Sequence, residues 1–346
     1  MQNPIPLEDF FRKPDRVQLR LSPGGRYLGW LEPAEVDGKR RLNVFVVELP
    51  EASVDGGELE LGTPRQLTAT STRDVAGFLF ADDDHVVFAQ DTGGDENHHL
   101  FCVRADGADG PEGARDLTPF EDVKCSIVDD LEDHPGELLF QMNRRDPQVF
   151  DVYHLDLASG DMRVVAQNPG NVQGWLTDHQ GRLRCATTTD GVNTSLLYRA
   201  DEDADWRTLA TYDFKENAAP LGFTYDDAAL WVSSNLGRDK RAIYTFDVER
   251  GEVDELVFEH PDVDVSGLLR SRLREKTVGV AYTTDRTHRE LWDDRRRALQ
   301  EYIDCALPGR ENNLTSFDRS ETRYAVYSGS DRGLGSYHLL DAPYDA

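Results

Sequence analysis

The 346-residue sequence predicts an all-β fold, a seven-bladed β-propeller with a short N-terminal segment (1–16) and one inserted helix near 293–306. Three observations predict it. One strand motif recurs along the chain, its spacing is that of a propeller blade, and each copy sits among further strand patterns separated by Gly, Pro, Asn and Asp turns.

The motif is apolar or aromatic with alternation and often ends in Asp or Glu. It reads LNVFVVE at Leu42 to Glu48, LFCVR at Leu100 to Arg104, VYHLDL at Val152 to Leu157, LLYR at Leu196 to Arg199, IYTFDV at Ile243 to Val248 and YHLLD at Tyr337 to Asp341. With Phe45, Phe101, Tyr153, Tyr198, Tyr244 and Tyr337 as register marks, the intervals are 56, 52, 45, 46 and 93 residues. The last is about twice the others, so a further copy belongs near its midpoint, where Glu290-Leu291-Trp292-Asp293 stands. That makes seven units.

In the first unit the turn Ser22-Pro23-Gly24-Gly25 separates Val17 to Leu21 from Arg26 to Leu31, and Arg65-Gln66-Leu67-Thr68 follows LNVFVVE after a polar loop. His85 to Gln90 pairs with Leu100 to Arg104 in the second unit, and Glu137 to Met142 with Val152 to Leu157 in the third. Such antiparallel meanders imply four strands to a blade. No single sheet covers both of its faces, whereas radial stacking covers the faces and leaves only short edges.

Two segments break the pattern. Asp293 to Ala306 has Leu299, Tyr302, Ile303 and Ala306 at helical spacing, and it reads as a helix inserted after the sixth unit's third strand and closed by Pro308-Gly309. The seventh unit offers Leu314 to Phe317, Tyr324 to Tyr327 and Tyr337 to Leu340 and then ends. The propeller is thus assigned to 17–346 with its last blade incomplete, either covered by residues before Val17 or cut from a longer protein, the latter being favoured.

Sixty-five acidic against 38 basic residues give a formal net charge of −27, which repels phosphate backbones and anionic lipid surfaces. Nucleic acid and membrane are therefore excluded as expected partners. Lysine occurs only at 13, 39, 124, 215, 240 and 276. So acidic and Lys-poor a surface suits either a salt-rich cytoplasm or an ordinary soluble protein of a GC-rich genome.

Cys102, Cys125, Cys185 and Cys305 form no C-x-x-C pair and read as reduced, mostly buried small hydrophobes. The N-terminus has neither a basic n-region nor an apolar h-region, and no apolar run approaches a bilayer span, so a cytoplasmic location is expected.

Several polar clusters invite a functional reading. Asp95-Glu96-Asn97-His98-His99 sets two imidazoles beside two carboxylates, but neighbouring residues on a strand point to opposite sides, so an inter-strand turn is expected and no metal is assigned. Asp82-Asp83-Asp84 and Asp129-Asp130 with Glu132-Asp133 lack the ligand spacing of a calcium loop and read as solvated turns. Arg144-Arg145-Asp146 and Arg238-Asp239-Lys240-Arg241 read as ion pairs between blade loops rather than a carboxylate clamp. Trp30, Trp175, Trp206, Trp231 and Trp292 are expected between blades.

IPLEDFFRKPDRVQLRLSPGGRYLGWL at 5–31, GGDENHHLF at 93–101, NRRDPQVFDVYHLDLASG at 143–160, NLGRDKRAIYTFD at 235–247 and SDRGLGSYHLLD at 330–341 resemble one family nearly end to end. It is the prolyl oligopeptidase (S9) serine peptidases, in their acylaminoacyl-peptidase and dipeptidyl-aminopeptidase branch. Generic TolB-like propellers share the SPGGRYL-type turn.

The resemblance implies a non-catalytic propeller that caps an α/β-hydrolase domain and gates access of short peptides to it. That domain would carry a Ser nucleophile in a G-x-S-x-G elbow, then Asp and His. The sequence contains no such elbow. In Gly329-Ser330-Asp331-Arg332-Gly333 the Ser directly follows the first Gly, and no strand-turn-helix context surrounds it. No residue is assigned as catalytic, cofactor-binding, metal-binding or substrate-binding, and the chain alone is expected to be inactive. The expected partners are the hydrolase domain, in cis or in trans, and peptides. The alternative is a free-standing TolB-like propeller that acts as a protein-interaction module.

Overall fold

A computed structural model describes residues 6–51 and 59–342. They form seven antiparallel sheets, each a meander whose strands pair in chain order. Blade 1 holds β1 (Val17–Leu21), β2 (Tyr27–Val36), β3 (Lys39–Glu48) and β4 (Arg65–Gln66), preceded by a short helix α1 (Leu7–Phe10). Blade 2 holds β5 (Gly77–Phe80), β6 (His85–Asp91), β7 (His98–Arg104) and β8 (Arg115–Asp116). Blade 3 holds β9 (Cys125–Asp129), β10 (Glu137–Asp146), β11 (Val149–Asp156) and β12 (Met162–Ala166).

Blade 4 holds β13 (Val172–Thr177), β14 (Leu183–Thr189), β15 (Thr194–Tyr198) and β16 (Arg207–Tyr212). Blade 5 holds β17 (Ala218–Phe223), β18 (Ala229–Ser234), β19 (Ala242–Asp247) and β20 (Glu252–Phe258). Blade 6 holds β21 (Val265–Ser271), β22 (Lys276–Thr283) and β23 (Thr287–Leu291), followed by α2 (Asp294–Ala306). Blade 7 holds β24 (Glu311–Phe317), β25 (Arg323–Ser330) and β26 (Gly333–Asp341).

Four strands to a blade therefore holds for blades 1 to 5. The correction is blade 6, where the helix stands in the place of an outer strand. Asp293 caps it, its side chain accepting from Arg296 N, and after Leu307 the chain turns through Gly309 at φ 72°. The β23 strand sits where the doubled interval demanded a hidden copy. Blade 7 has three strands among the described residues.

The alternating strands place apolar side chains between blades. Tyr27, Val44 and Leu67 of blade 1 meet Phe78, Val86 and Val103 of blade 2. Leu100 and Cys102 meet Phe140, Met142 and Leu155 across blades 2 and 3. Leu196 and Tyr198 meet Phe223, Leu230 and Phe246 across blades 4 and 5. Burying such side chains is the main favourable term for a ring whose sheets are each covered only by neighbours.

Blade 7 meets blade 1 through Leu21, Leu28, Trp30, Val47 and Ala325. Arg323 clasps that junction: its guanidinium donates to Gly25 O and Pro50 O at 2.9 Å each and pairs with Asp341 at 2.6 Å. Cys102, Cys125 and Cys185 are buried and Cys305 is exposed, all four as free thiols. Burial pushes the Cys185 thiol up to about 12, so at neutral pH it stays a protonated hydrophobe.

Candidate functional site

The first strands β1, β5, β9, β13, β17, β21 and β24 face one another around the ring axis and wall a central channel. Because every blade is a meander with the same sense, the turn after each first strand lies at one mouth of that channel. Those turns carry charge. They include Asp83, Asp130, Glu132, Asp133, Arg272 and Arg319.

Arg272 of blade 6 reaches across the mouth to blade 3. Its Nη1 lies 2.6 Å from Glu132 Oε2 and its Nη2 lies 2.9 Å from Asp133 Oδ2. In a seven-membered ring blades 3 and 6 stand on opposite sides of the axis, so this forked pair bars the opening. Beneath it lies a hollow of about 270 Å³ lined by Arg20, Leu79, Asp130, Phe317 and Arg319 among others.

The bar is held by its loops. Asp129 accepts from Leu131 N at 2.7 Å and from the Thr177 hydroxyl of blade 4, which fixes the turn that carries Glu132. Leu131 takes φ 46° and Gly136 φ 82° to make that turn. Burial opposes charging Arg272, but Glu132 and Asp133 outweigh it and hold the guanidinium above its ordinary value. Asp130 has the opposite fate. Burial, then Glu132 and Asp129, push its carboxyl up to about 6 against the pull of Arg272.

Elsewhere around the mouth neighbouring turns are stitched together. Asp83 accepts from Ser22 Oγ at 2.6 Å and Gly24 N at 2.8 Å, which joins blades 1 and 2. His179 sits 2.9 Å from Asp227 and stacks on Tyr225 at 4.2 Å, which joins blades 4 and 5. The chemistry at hand is guanidinium, carboxylate and imidazole on these turns. It can pair with charges and block passage.

Asp129-Asp130 with Glu132-Asp133 is thus corrected from a solvated turn to one half of a cross-channel bar. The sequence reading missed Arg272, its partner, although the repeat held the signal: Arg272 and Glu132 each follow the first strand of their units. Asp82 stays within its own turn, accepting from the backbone of Asp84 and His85 at 2.7 Å each.

In the Asp95–His99 cluster, Asp95 caps Asn97 N at 3.0 Å, Glu96 takes φ 62°, and His99 lies 3.5 Å from Asp116. This is turn chemistry. Arg145 pairs with Asp151 and reaches Asn168 O, each at 2.8 Å, while Arg144 stacks over Phe120 at 3.8 Å. Arg238 binds Tyr244 Oη at 3.0 Å and Glu259, and Lys240 lies 3.1 Å from Asp239. These basic runs are spent on ion pairs, cation–π contacts and blade loops.

Trp30 is buried and stacks on Phe45 at 6.2 Å, with its indole N–H bound to Glu32 at 2.8 Å. Trp175 pairs with Trp206 at 6.0 Å, and Trp231 packs between blades 5 and 6. Trp292 is the correction, 37% exposed beside α2, because no outer strand covers it there. Ser330 pairs with Gly333 in the β25–β26 hairpin, a setting with no strand-to-helix elbow.

No protein-family profile matches the chain. It is 28% identical over 336 residues to dipeptidyl aminopeptidase BIII of Pseudoxanthomonas mexicana, covering 96% of this chain and 46% of that protein. Dipeptidyl peptidase family member 6 of Caenorhabditis elegans is 20% identical over 349 residues, covering 96% and 45%. The chain spans about half the length of the curated relatives it matches.

Among solved structures, prolyl oligopeptidase B from Galerina marginata superposes with a TM-score of 0.60 at 12% identity, covering 95% of this chain and 49% of that one. A puromycin hydrolase superposes at 0.58 and 15% identity, covering 95% and 52%. At these identities the structural likeness concerns the fold.

Proposed function

We propose that this chain, which belongs to the N-terminal β-propellers of the prolyl oligopeptidase (S9) family, caps an α/β-hydrolase domain and limits what reaches its active site to short peptides. The observation that carries this reading is the Arg272 bar across one mouth of the channel. A folded chain is too wide to pass such an opening, whereas a short extended peptide needs only that the bar swing aside.

The opposite end of the ring supports the partner. There the turns between second and third strands, and the linkers between blades, expose Val192 (63%), Phe214 (76%) and Leu334 (87%). Exposed apolar side chains at that end suit burial against another domain. In this reading hydrolysis belongs to the hydrolase domain, and the propeller contributes exclusion and positioning.

We place the pair in the cytoplasm, where the free thiols stay reduced, and in a salt-rich one, where the net charge of −27 is screened. No helix among the described residues is long and apolar enough to cross a membrane.

The test compares an S9 hydrolase domain with and without this propeller, on a tetrapeptide and on a 40-residue peptide. With the propeller, kcat/KM for the long peptide relative to the short one is expected to fall by about tenfold or more. Equal ratios would reject the capping role.

A further inference from the structure

A closed ring of blades is ordinarily weakest where its first and last blades meet, since no loop joins them there. Here the 7–1 junction has both an apolar cluster and the Arg323 clasp. Apolar clusters also fill the junctions 1–2, 2–3, 3–4, 4–5 and 5–6. Among the described residues no such cluster joins blades 6 and 7.

Blade 7 buries Tyr324 and Val326 and α2 buries Ile303, and charged and amide side chains tie these elements together. Within blade 6 and its helix Arg274 lies 2.5 Å from Asp293, and across the seam it lies 3.4 Å from Glu321, with all three side chains largely buried. Ser271 Oγ donates to Glu321 at 2.5 Å, and Arg295 reaches Glu321 O at 3.3 Å. Arg289 binds Asn313, and Gln300 donates to Asn312 O at 3.1 Å.

The helix α2, wedged against β23 and β24, leaves three polar atoms buried without a partner: Arg296 Nε, Gln300 Oε1 and Asn312 Oδ1. A buried polar atom left unmade opposes closure, and a buried ion pair returns little beyond its own desolvation. Opening this seam lets water reach those atoms.

We propose that the ring opens between blades 6 and 7, with α2 as the moving edge, rather than at its 7–1 closure. The Arg272 bar ties blade 6 to blade 3 across the channel, and the Arg323 clasp ties blade 7 to blade 1. The seam therefore divides two braced groups and opens sideways into the channel. Opening is a property of this chain alone, whereas its use as a lateral route for peptides rests on the capping role.

Hydrogen exchange read by mass spectrometry on the intact chain tests this without any variant. In α2 and β23, exchange is expected at least tenfold faster than in the third strands β3, β7, β11, β15 and β19. β24 is expected to exchange faster than the inner strand β1.

Gln300→Ala with Asn312→Ala removes the amide hydrogen bonds to Asp304, Asn312 O and Leu307 O that tie α2 to β24, and should speed exchange in α2, β23 and β24 by several-fold while leaving β1 and β3 unchanged. Fastest exchange at β1 and β26, or uniform exchange around the ring, would overturn the proposal. So would a double variant that speeds exchange in all blades alike.

Discussion

Asp130 shows how one half-buried side chain ties channel electrostatics to stability. Its carboxyl is raised to about 6 in the folded protein, above the 3.8 of a free aspartate, so the folded state holds the proton more tightly than the unfolded one. The stability this confers is complete below about pH 4 and is lost as the pH rises through 6. Asp130→Asn is therefore expected to flatten the stability profile between pH 4 and 6 and to stabilise the protein at pH 8 by up to about 3 kcal/mol, read from denaturant midpoints. Arg323 is the contrasting case, a buried guanidinium with every partner in place. Arg323→Ala leaves Asp341 buried and unpaired, and it should cost about 3–5 kcal/mol in the same measurement. Arg272, with its side chain 40% exposed, is worth far less to folding. Arg272→Ala should cost no more than about 1 kcal/mol, as a bar that must open and reclose requires.

At the scale of an element, α2 shows a helix replacing a strand. Asp293 begins it by accepting from Arg296 N at 2.9 Å while pairing with Arg274 and Lys276. Burial opposes ionisation of this carboxyl, yet the hydrogen bonds from Arg274 and Lys276 outweigh it and hold the group well below the usual carboxylate range. The resulting stability is complete above about pH 4 and is lost as the pH falls toward the folded value, opposite in sign to Asp130. Asp293→Ala removes the cap and leaves two cations without their shared partner. It should cost about 2–4 kcal/mol at pH 7 and much less at pH 2, as followed by circular dichroism during urea unfolding.

For the whole molecule the dominant fact is a formal net charge of −27 on one closed ring. Self-repulsion of that size destabilises the compact state, and it falls as the Debye length shortens from about 10 Å at 0.1 M salt to about 3 Å at 1 M. The thermal midpoint of the intact chain should therefore rise by several degrees between 0.1 and 1 M KCl, measured by scanning calorimetry. A flat or falling midpoint would mean that the surface carboxylates are already neutralised by their ion pairs.

What was legible in the amino acids alone was everything set by periodicity and local turn chemistry: seven units, the hidden sixth copy at Glu290–Asp293, the helix that follows it, and the hairpins at Ser22–Gly25 and Gly93–Asn97. These are local because two-residue alternation and turn preferences act within a few residues. The resemblance carried by the blade turns likewise pointed to the family. Only the tertiary structure decided that Arg272 meets Glu132 and Asp133 across 140 residues of sequence. It also decided that Arg323 clasps blade 7 to blade 1 and that Arg274 meets Glu321 across the 6–7 seam. The reason is physical: ring closure, not chain distance, chooses which turns face each other. A carboxylate run in a turn therefore looks solvated until the opposite side of the ring delivers its guanidinium.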